Sequence, residues 1–404
     1  MSIKTYHLSF IPLLLALTLV PLACEPATGG KITVHTDTTT VIDGELIAED
    51  LGAEPPALPM EKGEDEAALS DTLARLKNGL LNQTYRDFTN YTIDLAQYAD
   101  TEYVSVSEGK LYYPGMADIW ITLKNSGAAP KTITLKKAGS AYQAEELGSL
   151  FTIRTGVRLI VEDVTLKGLT MANDGVNNNA ALVKVEANGI FELRDGAAVK
   201  GNCSKSVSGA AVNDYFKSGG VHVLGTFLMK GGSIEDCEAV RSFVTEYGGG
   251  GGAVFLADGG AFVMEGGVIK NNTSVLGTVS INNMPRGGGP PYLPASFIMK
   301  GGEISGNEGK PLVNLIGGGT YGGYGAVYLS APNSGGTVSF RMEGGVIKDN
   351  ATLCGVQMYS HAEFVMDGAE AKITGNKPGN AHNGGVQIED PATCTAAIIE
   401  GVCE

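Results

Sequence analysis

The sequence has little tryptophan, few basic side chains and no zinc-type cysteine pattern, and each shortage excludes a class of protein. A single tryptophan occurs in 404 residues, and 44 acidic residues outnumber 29 basic ones, which leaves a formal net charge of -15. Binding to a phosphate backbone depends on clustered lysine and arginine, so a nucleic-acid partner is excluded. The cysteines form no CxxC pair and the histidines show no paired spacing, so we predict no metal site and no cofactor.

Long apolar runs are also missing after the first two dozen residues. Lys4 is followed by an apolar run over residues 8–20, which ends just before Cys24, and this pattern predicts an export signal over residues 1–23. The run is shorter than the roughly 20 apolar residues of a membrane-spanning helix, and no later run reaches that length. We therefore expect an exported chain that does not span the membrane.

Cys24 follows Pro21-Leu22-Ala23, and this tetrapeptide resembles a bacterial lipobox, in which the cysteine is acylated and becomes the new N-terminus. Pro21 stands where leucine is usual. The resemblance implies that Cys24 is lipidated and anchors the protein to the cell envelope, in the outer membrane, through the buried methylene groups of its acyl chains. The surface and periplasmic faces are both open, and a plain secretory signal with an incidental cysteine is the alternative.

The five remaining cysteines are an odd number, so at least one thiol stays free or pairs between chains. An exported location permits disulfides. Cys394 and Cys403 are close enough in sequence for a disulfide that would fix the C-terminal end. Cys203 and Cys237 occupy nearly equivalent places one repeat apart. The pairing among these residues and Cys354 stays open.

Two short regions precede the main part of the chain. Residues 24–63 are rich in carboxylates, threonine and proline without a sustained period, which predicts an acidic, disordered tether. Residues 64–80 begin with three acidic residues, and Gly79 suits a helix C-cap. We predict one amphipathic helix here, which caps the following domain with leucines at helical spacing: Leu69, Leu73, Leu76 and Leu80.

Internal repetition dominates residues 88–404. Octets of the pattern Phe-x-Met-x-Gly-Gly-x-Ile begin at Phe227, Phe262, Phe297 and Phe340, and looser copies begin at Leu159, Phe191 and Phe364. A short alternating strand precedes each octet, so each repeat is predicted to hold three strands. Most repeats close with an asparagine: Asn202, Asn272, Asn307, Asn350 and Asn376.

The distance between octets ranges from 24 residues (Phe340 to Phe364) to 43 residues (Phe297 to Phe340). Variable length with constant strands is typical of a solenoid whose corners accept insertions. A β-propeller needs four strands in a more constant blade, and a leucine-rich repeat would carry leucine where this chain has Phe, Met and Ile. We therefore predict an all-β fold, a right-handed parallel β-helix of about ten coils with one N-terminal capping helix.

This fold predicts a place for each residue of the repeat. Octet positions 1 and 3 point inward and stack on their equivalents, and Gly-Gly makes the turn into the next strand. The closing asparagines form a ladder of side-chain amides at the corner. Cys237 occupies the asparagine place in its own repeat, where we expect a small residue that is simply buried.

The octets resemble a known family. Met-x-Gly-Gly-x-Ile-x-x-Asn, preceded by Gly-Gly-Val or Gly-Gly-Ala-Val, is similar to the repeat of bacterial right-handed β-helix surface proteins, particularly spirochaetal lipoproteins. Residues 148–157 and 164–168 resemble the start of the helix in those proteins. Residues 251–254 are similar to a tetrapeptide of chlamydial polymorphic membrane proteins, which are adhesins, but the companion Phe-x-x-Asn motif of that family is missing. The resemblance implies the fold, whereas a shared fold does not establish a shared function.

Outward-facing rows provide the candidate surfaces. Octet position 2 is apolar at Leu228, Val263 and Ile298, a strip that something should cover. We favour the corner insertion at residues 282–295 as this cover, with a docking partner as the alternative. Position 4 alternates in charge between most neighbouring repeats from Arg194 onward, which favours modest ion pairing that sets register. The middle residues of the first strands form a mixed row: Lys184, His222, Phe255, Ser280, Tyr328, Gln357 and Gln387.

Tyrosine, phenylalanine and arginine residues concentrate in this row and in the insertions after the asparagine corner. Equivalent corners lie on one side of a solenoid, and these residue types dominate binding hot spots and stack on sugars. Loops that tuck their aromatic side chains back against the coil are the alternative. The candidate binding surface consists of Tyr215, Phe216, Arg241, Tyr247, Phe255, Tyr321, Tyr324 and Tyr328.

Three functions remain open. We predict a lipid-anchored envelope protein that binds or adheres to host or surface glycans or proteins. A polysaccharide lyase or hydrolase on the same fold is the alternative, although no calcium carboxylates with a basic partner and no clustered aspartate pair are visible, so no catalytic residue is assigned. A structural spacer of the envelope is the third possibility.

Overall fold

The computed structural model describes residues 53–136, 147–205, 218–240, 250–283, 293–313, 320–322, 324–331, 336–376 and 384–403. β-Strands dominate these residues, and the strands of successive repeats pair in parallel. The chain is therefore an all-β protein built from parallel sheets. The predicted signal peptide, Cys24 and most of the predicted tether lie outside the described residues.

Each repeat contributes strands to the same sheets, and we call the strands of one repeat a tier. The long sheet has two rows, which hold the first and second halves of the octets, and we call them the Phe row and the Ile row. The Phe row contains Ala57–Pro59, Thr89–Asp94, Ile119–Lys124, Val157–Glu162, Ile190–Leu193, Thr226–Met229, Ala261–Met264, Ser296–Met299, Val338–Met342, Ala362–Thr374 and Thr395–Cys403. The last two of these strands run on into the Ile row.

The remaining strands follow the same order in each tier. The Ile row contains Thr101–Val104, Lys131–Leu135, Val164–Lys167, Ala198–Lys200, Ser233–Glu235, Val268–Lys270, Glu303–Ser305 and Val346–Lys348. The strand before each octet belongs to a nine-stranded sheet of Lys110–Leu111, Phe151–Ile153, Val183–Val185, Val221–Val223, Gly251–Leu256, Gly277–Asn282, Val327–Ser330, Val356–Ser360 and Val386–Ile388.

A fourth strand, which the sequence does not predict, follows the asparagine corner in four tiers. These strands form a short corner sheet of Cys203–Lys205, Glu238–Val240, Thr273–Ser274 and Glu308–Gly309. Pro311–Val313 and Thr320–Gly322 form an antiparallel pair. The three predicted strands per repeat are confirmed, and the corner sheet adds to them.

Stacked phenylalanines fill the interior behind the Phe row. Strand register places equivalent phenylalanines on one another in six tiers. Neighbouring ring centroids are 4.6 to 5.2 Å apart in stacked orientation, and all six rings are fully buried. The methionines at octet position 3 are equally buried, so the predicted inward positions 1 and 3 are confirmed.

The second glycine of the octet turn is required by its backbone. Gly302 has φ +83°, a left-handed conformation that side chains other than glycine rarely adopt. A Cβ at this position would lie 2.5 Å from the Cε atom of Met264 in the preceding tier. Gly267 and Gly345 repeat both features, so each turn fits directly against the methionine stack.

The predicted asparagine ladder is confirmed for Asn272, Asn307, Asn350 and Asn376, whereas the Nδ2 amide of Asn202 donates to the backbone carbonyls of Ala180 and Gly219. The Nδ2 amide of Asn307 donates to Oδ1 of Asn350 at 2.8 Å, and the Nδ2 amide of Asn272 donates to Oδ1 of Asn307 at 3.0 Å. Asn350 donates in the same way to Asn376 at 2.8 Å. Each Oδ1 also accepts the backbone N–H of the asparagine in the preceding tier. The ladder therefore satisfies buried backbone groups at the corner as well as its own amides.

Cys237 interrupts this ladder and is buried, as predicted. Its Sγ atom lies 3.5 Å from the carbonyl oxygen of Glu235 and 3.9 Å from that of Val199. These carbonyl groups lie 2 and 38 residues before Cys237 in the chain. The Nδ2 amide of Asn272 donates at 2.9 Å to the two carbonyl groups at the same separations before Asn272. The cysteine sulfur therefore occupies the site of an amide nitrogen.

One amphipathic helix covers the first tiers, with bounds that differ from those predicted. It spans Leu69–Leu81, and its four predicted leucines are buried in the common core. The acidic residues 64–66 precede the helix, whereas Oδ2 of Asp71 accepts the backbone N–H groups of Ala67 and Ala68 at 2.9 Å. Gly79 lies inside the helix against the Tyr85 ring, so its predicted role as C-cap is wrong and Asn82 ends the helix.

Part of the predicted tether is ordered. Ala57–Pro59 pairs in parallel with Thr89–Asp94 and adds an edge strand to the Phe row. The other short elements are the α-helix Met171–Asp174 and the 3-10 helix Leu95–Gln97. Leu69 joins the helix to the sheet, because its backbone N–H donates to Oε2 of Glu102 at 2.9 Å.

Replacing Phe297 with alanine tests the phenylalanine stack. The ring lies 4.6 Å from the rings on both sides, so its loss leaves a cavity, and we expect the free energy of unfolding to fall by about 3–5 kcal/mol. Urea denaturation followed by circular dichroism measures this change. Tyr103→Ala is the control, because Tyr103 is 55% exposed and its loss should cost about 0.5 kcal/mol or less. Equal losses in the two variants would contradict a buried stack.

Replacing Cys237 with asparagine tests whether filling the interruption in the asparagine ladder stabilises the protein. The new amide meets two carbonyl acceptors already in place, so we expect the free energy of unfolding to rise by about 1 kcal/mol. Cys237→Ser is the control, since its shorter hydroxyl has a single proton to donate to these two carbonyls. The same urea titration compares both variants with the parent protein, and a loss of stability in Cys237→Asn would contradict the ladder site.

Candidate functional site

The predicted binding residues fall into four groups. Four lie outside the described residues: Tyr215, Phe216, Arg241 and Tyr247. Tyr321 lies in the antiparallel strand Thr320–Gly322. Phe255 is fully buried and Tyr328 is 5% exposed, so an exposed surface does not include these two side chains. Tyr324 is half-buried, and its ring centroid lies 5.0 Å from that of Tyr328.

The mixed row of the nine-stranded sheet forms in the predicted register. Lys184, His222, Phe255, Ser280, Tyr328, Gln357 and Gln387 lie on one another in successive tiers. From His222 to Gln387 all of these side chains are nonetheless at most 9% exposed. Strand alternation correctly predicts which way they point, but it does not determine whether other parts of the chain cover them.

The best-formed candidate site lies at the C-terminal end of this row, and we call it the tyrosine patch. It comprises Tyr324, Tyr328, Gln357, Tyr359, Gln387 and Glu389. Oε1 of Glu389 accepts the Nε2 amides of Gln357 at 3.1 Å and of Gln387 at 2.5 Å. Oε1 of Gln357 accepts the backbone N–H of Gly325 at 3.0 Å. These bonds tie three neighbouring tiers into one rigid polar surface.

The tyrosine patch combines a buried base with an open rim. Tyr359 is 51% exposed and Glu389 is exposed. Burial raises the pKa of Tyr328, so its hydroxyl stays protonated and remains a hydrogen-bond donor. Oε1 of Gln387 is buried and has no hydrogen-bond partner among the described residues. Aromatic rings beside amide and carboxylate groups are suited to sugar rings and to peptide groups.

A second cluster lies on the outward face of the Phe row, and we call it the arginine cluster. It comprises Trp120, Arg158, Glu192, Arg194 and Lys230. The Arg158 guanidinium lies 4.0 Å from the centre of the Trp120 ring and donates through Nε and Nη2 to Oε2 of Glu192. The other oxygen of Glu192 contacts Arg194 Nε at 2.6 Å and Lys230 Nζ at 3.2 Å.

Charge balance determines the chemistry of the arginine cluster. Burial alone would raise the pKa of Glu192, but the bonds from Arg158 and Arg194 hold it below the usual value. A carboxyl group of lowered pKa is ionised at neutral pH and cannot act there as a general acid. Arg158 is 5% exposed, and its Nη1 has no hydrogen-bond partner among the described residues. The cluster therefore retains one unused donor for an acceptor such as a carboxylate.

Sequence reasoning missed the arginine cluster and the rim of the tyrosine patch. A signal was present for the cluster, because the register places the sole tryptophan beside Arg158 in the next tier. Glu192 also occupies octet position 2, where the next three tiers carry Leu228, Val263 and Ile298. Tyr359 and Glu389 lie outside the repeated pattern and had no such signal.

Ion pairs along octet position 4 are formed only in part. Arg194 contacts Glu162 of the preceding tier at 3.4 Å, a pair that the predicted row, which begins at Arg194, does not include. Lys230 instead contacts Glu192, which is at position 2. The clearest alternation lies in the Ile row, where Glu235 contacts Lys200 at 2.9 Å and Lys270 at 3.2 Å. Pairs of this kind stabilise a sheet by a few tenths of a kcal/mol to about 1 kcal/mol.

Among the described residues, the cysteines and the metal-ligating side chains add no further candidate site. Cys394 carries a free thiol, so the Cys394–Cys403 disulfide that the sequence permits is not formed in this structure. Burial raises the pKa of Cys237 to about 12, which keeps this thiol neutral. Within the described ranges, no three His, Cys, Asp or Glu side chains lie close enough together to hold a metal ion. No helix in the same ranges is long and apolar enough to cross a membrane.

Comparisons with protein-family models, with curated proteins and with solved structures give no match.

Replacing Glu192 with glutamine tests the arginine cluster. Trp120 is the sole tryptophan, so its fluorescence reports on Arg158 directly. Because the pKa of Glu192 is lowered on folding, its stabilising charge is complete above about pH 4.5 and is lost as the pH falls below that value. We expect the emission of the parent protein to stay constant from neutral pH to about 4.5 and to change below it.

The variant should already show altered emission at neutral pH and should lack that acid transition. Glu265→Gln is the matched control, because Glu265 is an exposed carboxylate in a nearby tier of the same row. An acid transition that persists unchanged in Glu192→Gln would show that Glu192 does not hold the cluster together.

Proposed function

We propose that the tiers form a right-handed parallel β-helix of about ten coils, whose first coil is capped by the helix Leu69–Leu81. Parallel pairing of equivalent strands through ten tiers of the Phe row supports a solenoid. The hand follows from the strong preference of parallel strand crossovers for the right-handed form. The repeat motif, which resembles that of spirochaetal β-helix surface lipoproteins, supports the same proposal.

The proposal for location rests on the first 24 residues. An export signal that ends in a lipobox-like Pro-Leu-Ala-Cys supports acylation of Cys24 and anchoring to the bacterial cell envelope, in the outer membrane. The acidic segment after Cys24 then separates the β-helix from the lipid. A surface-exposed location fits a binding role.

The proposed activity is binding or adhesion to glycans or proteins at the cell surface. The observation that carries it is the tyrosine patch, which combines half-buried Tyr324 and exposed Tyr359 with a carboxylate fixed by two glutamines. Rigid aromatic side chains beside fixed polar groups bind a ligand with little loss of conformational freedom. Neighbouring tiers contribute the parts, so the surface is elongated and is suited to an extended ligand.

A carbohydrate-active enzyme is the second candidate, and one observation favours it. Burial raises the pKa of Glu363 in the Phe row, which is a property of general acids in glycoside hydrolysis. A hydrolase also needs a second carboxylate at a defined separation. A structural spacer of the envelope is the third candidate, and it predicts neither binding nor turnover.

Arrays of glycans and extracellular-matrix proteins, incubated with the full chain, separate these functions. We expect binding without unsaturated or shortened sugar products. Tyr324→Ala and Tyr359→Ala should each weaken binding at least tenfold, the size expected when an aromatic hot spot is removed. Tyr103→Ala is the matched control, because Tyr103 is exposed but lies outside the patch.

Each other outcome identifies one of the alternatives. Formation of sugar products that is lost in Glu363→Gln would overturn the binding role in favour of an enzyme. If neither binding nor sugar products were detected, the structural spacer would be the remaining function. Binding that Tyr324→Ala and Tyr359→Ala leave unchanged would place the site elsewhere and contradict the patch.

A further inference from the structure

The tyrosine patch carries a negative charge that has no basic partner within the described part of the chain. The carboxylate of Glu389 is exposed, and its side-chain contacts are with the amides of Gln357 and Gln387. The side chain of the adjacent Asp390 accepts the backbone N–H of Ala392 and the hydroxyl of Thr393. Two successive carboxylates therefore lie at this end of the nine-stranded sheet without an ion pair among the described residues.

The sheet around the patch supplies no basic side chain either. Five successive strands contain neither lysine nor arginine: Gly251–Leu256, Gly277–Asn282, Val327–Ser330, Val356–Ser360 and Val386–Ile388. In the Phe row of the same tiers, Arg341 already contacts Asp367 at 2.6 Å and Glu343 at 3.0 Å. A surface with uncompensated negative charge attracts cationic ligands and repels anionic ones.

An aromatic ring lies beside this charge. Met358 and Ile388 pair in register in neighbouring tiers, and the backbone N–H of Glu389 donates to the carbonyl of Met358. Tyr359 and Glu389 directly follow the paired residues, so they leave neighbouring strands at the same end. Burial raises the pKa of the Tyr328 hydroxyl, and the nearby charges of Tyr359 and Glu389 raise it further. The exposed Tyr359 ring and the Glu389 carboxylate therefore border the same part of the surface.

The patch also has acceptors that lack a donor. Oε1 of Gln357 accepts the backbone N–H of Gly325, and Oε1 of Glu389 accepts both glutamine amides. Oε1 of Gln387 is buried without a hydrogen-bond partner, and Oε2 of Glu389 accepts from none of the described residues. A buried acceptor of this kind is normally satisfied, so a ligand that donates hydrogen bonds complements the patch.

We propose that the tyrosine patch binds an arginine side chain of a protein partner. The proposal rests on the binding role proposed for the patch and narrows its ligand to a basic protein segment. The guanidinium donates to the Glu389 carboxylate and lies against the Tyr359 ring, which combines a charge-assisted hydrogen bond with a cation–π contact. The two glutamines hold the carboxylate in place before the ligand arrives, so little conformational freedom is lost on binding.

The other ligand classes match the patch less well. A neutral glycan would leave the charges of Glu389 and Asp390 unbalanced, and an acidic glycan would be repelled by them. A lysine ammonium is a compact, strongly hydrated charge, whereas a guanidinium is planar, carries five N–H donors and stacks on aromatic rings. Arginine therefore satisfies the carboxylate, the free acceptors and the ring together.

Surface plasmon resonance with the immobilised full chain tests the proposal. The probe is a synthetic peptide of Gly-Ser-Arg repeats, compared with peptides in which citrulline or lysine replaces every arginine. Citrulline has nearly the shape of arginine but no charge, so we expect the citrulline peptide to bind about tenfold more weakly or worse. The lysine peptide should also bind more weakly than the arginine peptide, because it lacks the planar donor group.

A pair of variants separates the patch from the general attraction between a basic peptide and an acidic protein. Glu389→Gln removes the charge but keeps an oxygen that can accept the two glutamine amides, and it should weaken binding of the arginine peptide about tenfold or more. Glu265→Gln removes an exposed carboxylate from the Phe row and should change the affinity by no more than about twofold.

The outcomes distinguish this proposal from the binding role on which it rests. Equal affinity for the arginine and citrulline peptides would overturn the proposal, and this comparison needs only the parent protein. Equal affinity for the lysine peptide would overturn the assignment to a guanidinium. Binding on the glycan and matrix-protein arrays that Tyr359→Ala weakens and Glu389→Gln leaves unchanged would overturn the arginine ligand but retain the patch as a binding site. The absence of binding to both peptides and arrays would contradict both proposals.

Discussion

In-register parallel pairing between tiers is the constraint on which the rest of this structure depends. Each strand of the stack bonds to its equivalents in neighbouring tiers, so most residues of these strands lie against their own counterparts. A side chain must therefore pack favourably against an identical side chain in the next tier or against a complementary one. Phenylalanine and asparagine satisfy this by ring stacking and by amide bonds, whereas charged positions satisfy it by alternation, as in Lys200, Glu235 and Lys270.

The same constraint builds the outward surfaces. Insertions of different length leave the register unchanged, because they enter at corners and not within the paired strands: Phe297 stacks on Phe340 across 43 residues at 4.6 Å. Sites then form across tiers from residues far apart in sequence. The tyrosine patch joins Tyr328, Gln357 and Gln387 in this way, and the arginine cluster joins Trp120, Arg158 and Glu192.

Repetition explains how much of the fold and of the candidate sites could be predicted from the sequence. The inward rows, the glycine turns, the asparagine ladder and the helix stripe recur in the sequence, and a recurring contact can be inferred from its period. The strand Ala57–Pro59 and the burial of Phe255 depend on contacts that occur once, so no period reveals them. The arginine cluster falls between these cases, because its residues occupy repeated positions but its chemistry appears in only a few neighbouring tiers.

Distances between spin labels test the in-register stack most directly. With one label at Lys124, second labels at Lys300, Glu343 and Asp367 lie five, six and seven tiers away, so pulsed electron paramagnetic resonance should give about 24, 29 and 34 Å between their backbone positions. The two increments should both be about 4.8 Å, although 43 residues separate Lys300 from Glu343 and 24 separate Glu343 from Asp367. A clearly larger increment for the 43-residue step, or distances that do not grow along the series, would contradict the stacked register.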